Sequence, residues 1–178
     1  MPPTGRDVTA VISSQHREIV RLIQHVDDTT GTSCAQAFHR LRLMVAVHEC
    51  AESLVIHPRA AMMAADGATV AAGRAAEERA AGDQIWDLEE SMTGSPAFRE
   101  QFADLAGAIR RHAEAEERHE WPLIEQIDNP GHAHAMLDLM TVVPDLVEAP
   151  DAPDRAQRFD QMMAWAERKL RRAAKSIQ

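Results

Sequence analysis

Two segments of eleven residues share a pattern of side chains that could bind a metal. The first, HECAESLVIHP, covers residues 48–58, and the second, HAEAEERHEWP, covers residues 112–122. Each begins with His, has Glu four positions later and ends with Pro. Positions i and i+4 lie on one face of an α-helix, about one turn apart. Imidazole and carboxylate groups on one face suit a metal such as iron. The pairs His48 with Glu52 and His112 with Glu116 therefore predict one site shared between two helices.

The rest of the sequence predicts the helices that must position these pairs. Apolar residues make up 45% of the 178 residues and aromatic residues only 4%, and alanine is abundant. This composition favours helices, because alanine has the highest helix propensity and strands prefer β-branched and aromatic residues. Apolar residues recur at spacings of three and four along six segments, which are residues 7–28, 34–63, 69–92, 96–127, 132–140 and 154–176.

The four longer segments before residue 128 predict an all-α fold, an antiparallel up-down four-helix bundle, because short connections join them. We assign residues 6–128 to this bundle and residues 129–178 to a C-terminal helical extension packed on it. Pro58 is expected to kink the second helix, since an interior proline removes one backbone hydrogen bond and clashes with the preceding turn.

Two further positions supply the remaining sides of the predicted site. His16 on the first helix and Glu78 on the third lie in apolar stripes that should face the interior. Burying several imidazoles and carboxylates without partners would cost on the order of several kcal/mol, a cost that a bound metal removes. The third helix has no His to offer, so Glu78 is its predicted ligand and Glu77 the alternative.

The order of these residues resembles the hemerythrin-like HHE cation-binding domains. SSQHREIVRLI resembles the first helix of that family and HAEAEERHEWP its fourth-helix signature, and the resemblance covers about residues 6–128. It implies a four-helix bundle around a non-heme di-iron centre, which can carry an oxo bridge. It also implies that Glu52 and Glu116 bridge the two ions while His16, His48 and His112 are terminal ligands.

The chain departs from this family on the third helix, which normally supplies at least one His. A Glu there makes the site more anionic and favours Fe(III) over Fe(II), and the loss of one iron or of the whole site stays open. The expected function is to bind or sense a small diatomic molecule or peroxide (oxygen, nitric oxide or hydrogen peroxide), with catalase-like turnover as a secondary activity. We expect a buried apolar pocket that excludes larger ligands, lined by Ile12, Ile19, Val45, Ile85 and Ile109.

Two alternatives remain at this point. One is a DinB-like enzyme with a mononuclear site, which predicts one zinc or nickel ion per chain and a sizeable cleft. The other is a metal-free bundle that acts as an interaction module, for which His16→Ala and Glu116→Ala would leave thermal stability nearly unchanged. Outside the predicted site, Glu49 is expected to be a solvated carboxylate on a helix surface, and His57 is expected to face elsewhere.

Net charge and hydropathy limit the classes of partner that the protein can have. The formal net charge of −9 argues against a general role in nucleic-acid binding. No segment approaches the roughly eighteen apolar residues of a membrane-spanning helix, and the N-terminus has no apolar signal core. We therefore expect a soluble, cytoplasmic protein that does not enter a membrane.

Overall fold

Four long helices form the bundle that carries the predicted site residues. The structure is a computed structural model that describes residues 1–63 and 65–177, and within these ranges the chain is helical, without strands. The predicted all-helical fold is confirmed. The helices, in chain order, are α1 (Gly5–Asp28), α2 (Gly31–Val55), α3 (His57–Met63), α4 (Gly67–Glu89), α5 (Pro96–His119), α6 (Trp121–Ile124), α7 (Pro130–Thr141), α8 (Val143–Val147) and α9 (Phe159–Ile177).

The bundle helices begin at residues suited to that place. The Asp7 carboxylate accepts a hydrogen bond from the backbone N–H of Thr4 at 2.7 Å, which stabilises the start of α1. At the start of α5, the hydroxyl of Ser95 accepts from the backbone N–H of Phe98 at 3.1 Å. Pro96 costs α5 no hydrogen bond, because the N–H that it lacks would be unpaired in the first turn.

The two matched prolines break their helices at the same register. The predicted helices over residues 34–63 and 96–127 are each divided, since α2 ends at Val55 and α5 ends at His119. Short helices follow in which Pro58 and Pro122 stand at the second position, where the missing N–H does no harm. The break redirects the chain just after Glu52 and Glu116, so side chains beyond it no longer follow the faces that a straight helix would give them.

Aromatic rings pack in the core at one end of the bundle, and the polar residues of the predicted site lie towards the other end. Phe38, Phe98 and Phe102 pack together, with ring centroids 5.1 to 6.0 Å apart. The predicted site residues lie about three turns further along α2 and α5. The apolar packing therefore fixes the spacing of the helices that hold the polar end.

The last fifty residues pack against the first two helices. Helix α7 contacts α1 and α2, α8 contacts α2, and α9 lies along α2. Helix α9 begins at Phe159, five residues after the predicted start. The division of the chain at residues 128 and 129 stays a prediction. In the described part of the chain, no helix is long and apolar enough to span a membrane.

Candidate metal centre

The first group of potential ligands comes from three helices. His16 of α1, His48 and Glu52 of α2, and Glu116 of α5 each bring one ligand atom within 4.8 Å of the others, and all four are buried. We call these four residues the first cluster. The Nε2 atom of His16 lies 3.2 Å from a Glu116 oxygen, and Nε2 of His48 lies 3.3 Å from a Glu52 oxygen. Four of the six residues predicted as ligands therefore meet here.

A second group lies beside the first and brings in α4. Glu49, Glu78 and His112, here called the second cluster, also place one ligand atom each within 4.8 Å of one another. Nε2 of His112 lies 3.6 Å from Glu49 Oε2 and 3.2 Å from Glu116 Oε1. Because Glu116 directs Oε2 at His16 and Oε1 at His112, its carboxylate joins the two clusters. Glu52, to which the resemblance gives a bridging role, falls in the first cluster.

Several ligand atoms of both clusters lack hydrogen-bond partners, whereas the two Glu78 oxygens are bonded to Ser53 and His57. Most buried polar atoms in folded proteins have such a partner, and the approaches of 3.2 to 3.6 Å just described do not satisfy the geometry of a hydrogen bond. Leaving this many polar atoms unpaired in one place is costly, and a cation would offset the cost. The donor set fits a metal that accepts nitrogen and oxygen ligands, such as iron. The buried atoms without a hydrogen bond to any described residue include His16 Nε2, Glu49 Oε2, Glu52 Oε2, His112 Nε2, Glu116 Oε1 and Glu116 Oε2.

All three histidines of the clusters turn the same ring nitrogen inward. Their Nε2 atoms face the carboxylates of the clusters, while their Nδ1 atoms lie near polar side chains outside the clusters. His48 Nδ1 donates to Gln15 at 2.8 Å, His112 Nδ1 to Glu77 at 3.0 Å, and His16 Nδ1 lies 3.4 Å from Glu117. Metal-bound histidines characteristically use one nitrogen for the metal and the other for such a partner.

A neutral hydrogen-bond chain supports the first cluster. The Gln15 side chain accepts from His48 through its carbonyl oxygen and donates through its amide nitrogen to the backbone carbonyl of Met140, at 2.7 Å. Gln15 is 3% exposed. Because Met140 belongs to α7, the C-terminal segment helps to fix the ring of a first-cluster histidine.

An ionic chain supports the second cluster. His57 lies between two carboxylates, with Nε2 2.5 Å from Glu78 and Nδ1 2.9 Å from Glu120. The expectation that His57 faces elsewhere is wrong, because the break before α3 turns its ring into the bundle. Burial alone would lower the pKa of His57, but Glu120 and Glu78 outweigh burial and raise it to about 10. His57 is therefore a cation at neutral pH, and its ion pair with Glu78 fixes the position of that carboxylate.

Burial and mutual repulsion divide the charges within the clusters. Burial and the nearby Glu116 raise the pKa of Glu52 well above its ordinary value. Burial, helped by His16, lowers the pKa of His48 well below its ordinary value. Glu116 shows the opposite balance: burial favours its neutral form, but His112 and His16 prevail and lower its pKa. Without metal, the surroundings thus favour the charged form of Glu116 and the neutral form of Glu52.

Glu49 is the second-cluster residue that the sequence interpretation placed on the surface, which is wrong. Its side chain is 12% exposed and faces His112. The sequence indicates a role for Glu49 only indirectly. Because the third helix has no His, a neighbouring helix would have to supply an additional ligand. Glu78 lies where it was predicted, in the interior beside His112, and Glu77 contacts His112 from outside. The assignment of these side chains as ligands stays a prediction.

Three cavities of different size reach the clusters. One of about 10 Å³ touches His16, His48 and His112, one of about 310 Å³ touches His16, and one of about 630 Å³ opens between α4 and α5 and touches the second cluster. The predicted apolar pocket differs from all three. Ile19 and Ile109 line these cavities, whereas the other predicted lining residues are at most 2% exposed and belong to the packed core: Ile12, Val45 and Ile85.

Comparison with known proteins agrees with this arrangement. The family model of the hemerythrin HHE cation binding domain matches residues 7–124, more than half of the chain. The matched range includes every residue of both clusters, and the resemblance predicted from the motifs is confirmed. No curated protein and no solved structure matched the chain significantly.

Proposed function

The chain belongs to the hemerythrin HHE cation-binding domain family, and from that premise we propose that it holds two non-heme iron ions and binds or senses a small diatomic molecule or peroxide. His16, His48 and Glu52 would hold the first ion. Glu49, Glu78 and His112 would hold the second. Glu116 would give one carboxylate oxygen to each.

One observation carries this proposal: the unpartnered buried ligand atoms of His16, Glu49, Glu52 and His112 form two groups, and each group is next to one unpartnered oxygen of Glu116. A single ion could satisfy only one group and would leave the other costly. Two ions would satisfy both groups, because Glu116 presents one oxygen to His16 and the other to His112. The inward Nε2 atoms of three histidines support the same conclusion, because each ring is held at Nδ1 by a partner outside the clusters.

The surroundings of the first cluster suit a small ligand. When bound, iron supplies an open coordination position and a change of oxidation state to an oxygen, nitric oxide or peroxide ligand. The chain supplies the enclosure. The cavity of about 10 Å³ beside His16 and His48 is close to the space that a single water needs. Ile19 and Ala113 in its lining would keep bulk water away from the bound ligand.

Metal analysis of freshly purified protein, paired with a visible spectrum, tests the proposal. We expect two irons per chain and the absorption of a ferric pair, both diminished in His112→Ala. The matched control is His132→Ala, which changes an exposed histidine of α7 and should leave both unchanged. One zinc or nickel ion per chain would instead support a mononuclear, DinB-like site. A colourless, iron-free protein from iron-replete medium would rule out the di-iron function.

A further inference from the structure

We propose that the second cluster binds an organic ligand larger than a diatomic molecule, namely a small carboxylic acid with an uncharged apolar body about the size of benzoate. This inference rests on the proposed function, because the carboxylate would bind the ion held by Glu49, Glu78 and His112. It concerns the substrate class of that position and assigns no reaction to it.

The cavity next to the second cluster is far larger than a diatomic ligand requires. Its volume of about 630 Å³ lies within the range of roughly 300 to 1,000 Å³ found for small-molecule sites, whereas a water molecule fills about 30 Å³ in the liquid. The cavity opens to solvent between α4 and α5, and it ends at the second cluster.

The floor of this cavity offers a place for the ligand's head group. His112 is 8% exposed, and its Nε2 atom has no hydrogen-bond partner among the described residues. The same is true of Glu49 Oε2. Both residues line the cavity together with Glu78. An ion at this carboxylate-rich floor would be hard, and hard ions favour anionic oxygen ligands such as a carboxylate.

The charged side chains around the cavity favour a ligand whose only charge lies at its head group. With an ion bound, Glu49 and Glu78 are neutralised at the floor. The exposed residues at the mouth balance one another, because two are acidic and two are basic: Glu77, Glu114, Arg111 and Arg118. A ligand with one negative charge at the ion and an uncharged remainder therefore meets no uncompensated charge at the mouth.

Small apolar side chains line the part of the cavity between its floor and its mouth, and their small size leaves space there. Ala81 lies on α4, and Ala108 and Ala115 lie on α5, each partly buried and each lining the cavity beside Ile109. An apolar ligand body would bury surface against these side chains, which favours binding. Leucine at any of the three alanines would project into this space and leave no room for a ring.

Titration of the iron-loaded protein with azide and with benzoate tests the inference. Azide is slender enough to reach either ion, while benzoate needs the cavity. We expect both to shift the visible absorption and benzoate to compete with azide for part of its response. Ala81→Leu should weaken benzoate binding by about tenfold or more and change azide binding by less than about twofold. Ala76→Leu, at an exposed position of α4, should change neither.

The outcomes separate the two proposals. If azide shifts the spectrum and benzoate does not, the inference is overturned while the di-iron function stands. If Ala81→Leu weakens both ligands equally, the cavity is not the benzoate site and the inference again fails. Should that variant fold poorly, Ala108→Leu obstructs the same cavity from α5 and must give the same selective loss. A protein that takes up no iron overturns both proposals.

Discussion

The two clusters arise from the same sequence pattern, yet they differ in ligands, support and access. The first has two histidines, a neutral supporting side chain in Gln15, and cavities of about 10 Å³ and, beside His16, about 310 Å³. The second has one histidine, an ionic support in His57 and a cavity of about 630 Å³. A matched His/Glu spacing thus places two ligands on a helix, and the neighbouring helices determine what kind of site results.

The difference follows from what each cluster meets across the bundle. The first faces α1, where His16 and Gln15 stand on adjacent residues, so it gains an imidazole ligand and an amide partner. The second faces α4, which carries carboxylates at Glu77 and Glu78 and no histidine. Excess negative charge there is balanced by His57, whose pKa of about 10 keeps it protonated at neutral pH.

The largest expected effect removes the residue that the clusters share. Glu116→Gln replaces a central carboxylate by a neutral, weaker ligand, and it should reduce the iron content from two ions per chain to nearly none. Metal analysis after purification from iron-replete medium measures this. Glu100→Gln, at an exposed position of α5, should retain both ions. Retention of one full ion in Glu116→Gln would show that the clusters are independent and that Glu116 does not join them.

Removal of iron by a chelator should separate the clusters in time. The second-cluster ion would lie at the end of an open cavity, whereas His48 and Glu52 of the first cluster are each 1% exposed, so release of the first ion should be slower by about tenfold or more. Dipicolinate added to the iron-loaded protein should therefore take up iron in two phases of equal amount, measured as the iron–dipicolinate complex. The fast phase should be missing in His112→Ala. A single phase for both ions would mean that the difference in access does not matter.

The sequence predicted the first cluster better than the second, for a physical reason. His16, His48, Glu52 and Glu116 lie on long helices whose apolar periodicity fixes the inward face, so spacing alone could identify them. His57 and Glu120 lie at the breaks that Pro58 and Pro122 impose, where helical periodicity no longer predicts direction.

Glu49 shows a second limit of prediction from one helix at a time. It is next to His48 and was assigned to the solvent side on that ground, but α4 and α5 cover it from two directions. Whether a flank position is buried depends on how closely the neighbouring helices approach, and a single sequence does not contain that distance. The size of the cavity between α4 and α5 was missed for the same reason.

Substitution of His57 should weaken the second cluster alone. His57→Gln removes the cation that holds Glu78, and the loss of such a supporting partner typically lowers metal affinity by about 10- to 100-fold. Competition with a chelator of known affinity should show this loss of affinity for the second-cluster ion and little change for the first-cluster ion. His25→Gln, at an exposed site on α1, is the matched control. Equal weakening of both ions would contradict the separate support of the two clusters.

Substitution of Gln15 should weaken the first cluster, and by less. Gln15→Leu removes a neutral hydrogen bond to His48, which typically contributes about 0.5 to 1.5 kcal/mol, so affinity for the first ion should fall by about tenfold at most. The same chelator competition measures it, with Gln24→Leu at an exposed position of α1 as control. A larger effect than that of His57→Gln would reverse the proposed order of the neutral and ionic supports.

The metal-free protein should show a pH dependence of stability with opposite signs in the two clusters. The pKa of His48 is lowered from its ordinary value of 6.5. The unfolded chain therefore binds more protons there, and the stability from His48 is complete above pH 6.5 and lost as pH falls. The pKa of His57 is raised to about 10, so its contribution is complete below pH 6.5 and lost as pH rises towards 10.

Denaturant unfolding in the presence of a chelator, at several values between pH 6.5 and 10, tests the His57 contribution. One proton changes the free energy of unfolding by at most about 1.4 kcal/mol per pH unit. His112, whose pKa is also raised, contributes a decline over the same range, so the informative quantity is the difference between the unchanged protein and His57→Gln. That difference should shrink as pH rises from 6.5 to 10. If it is constant, His57 stabilises the metal-free bundle by packing alone, and the ionic character assigned to the second cluster's support is wrong.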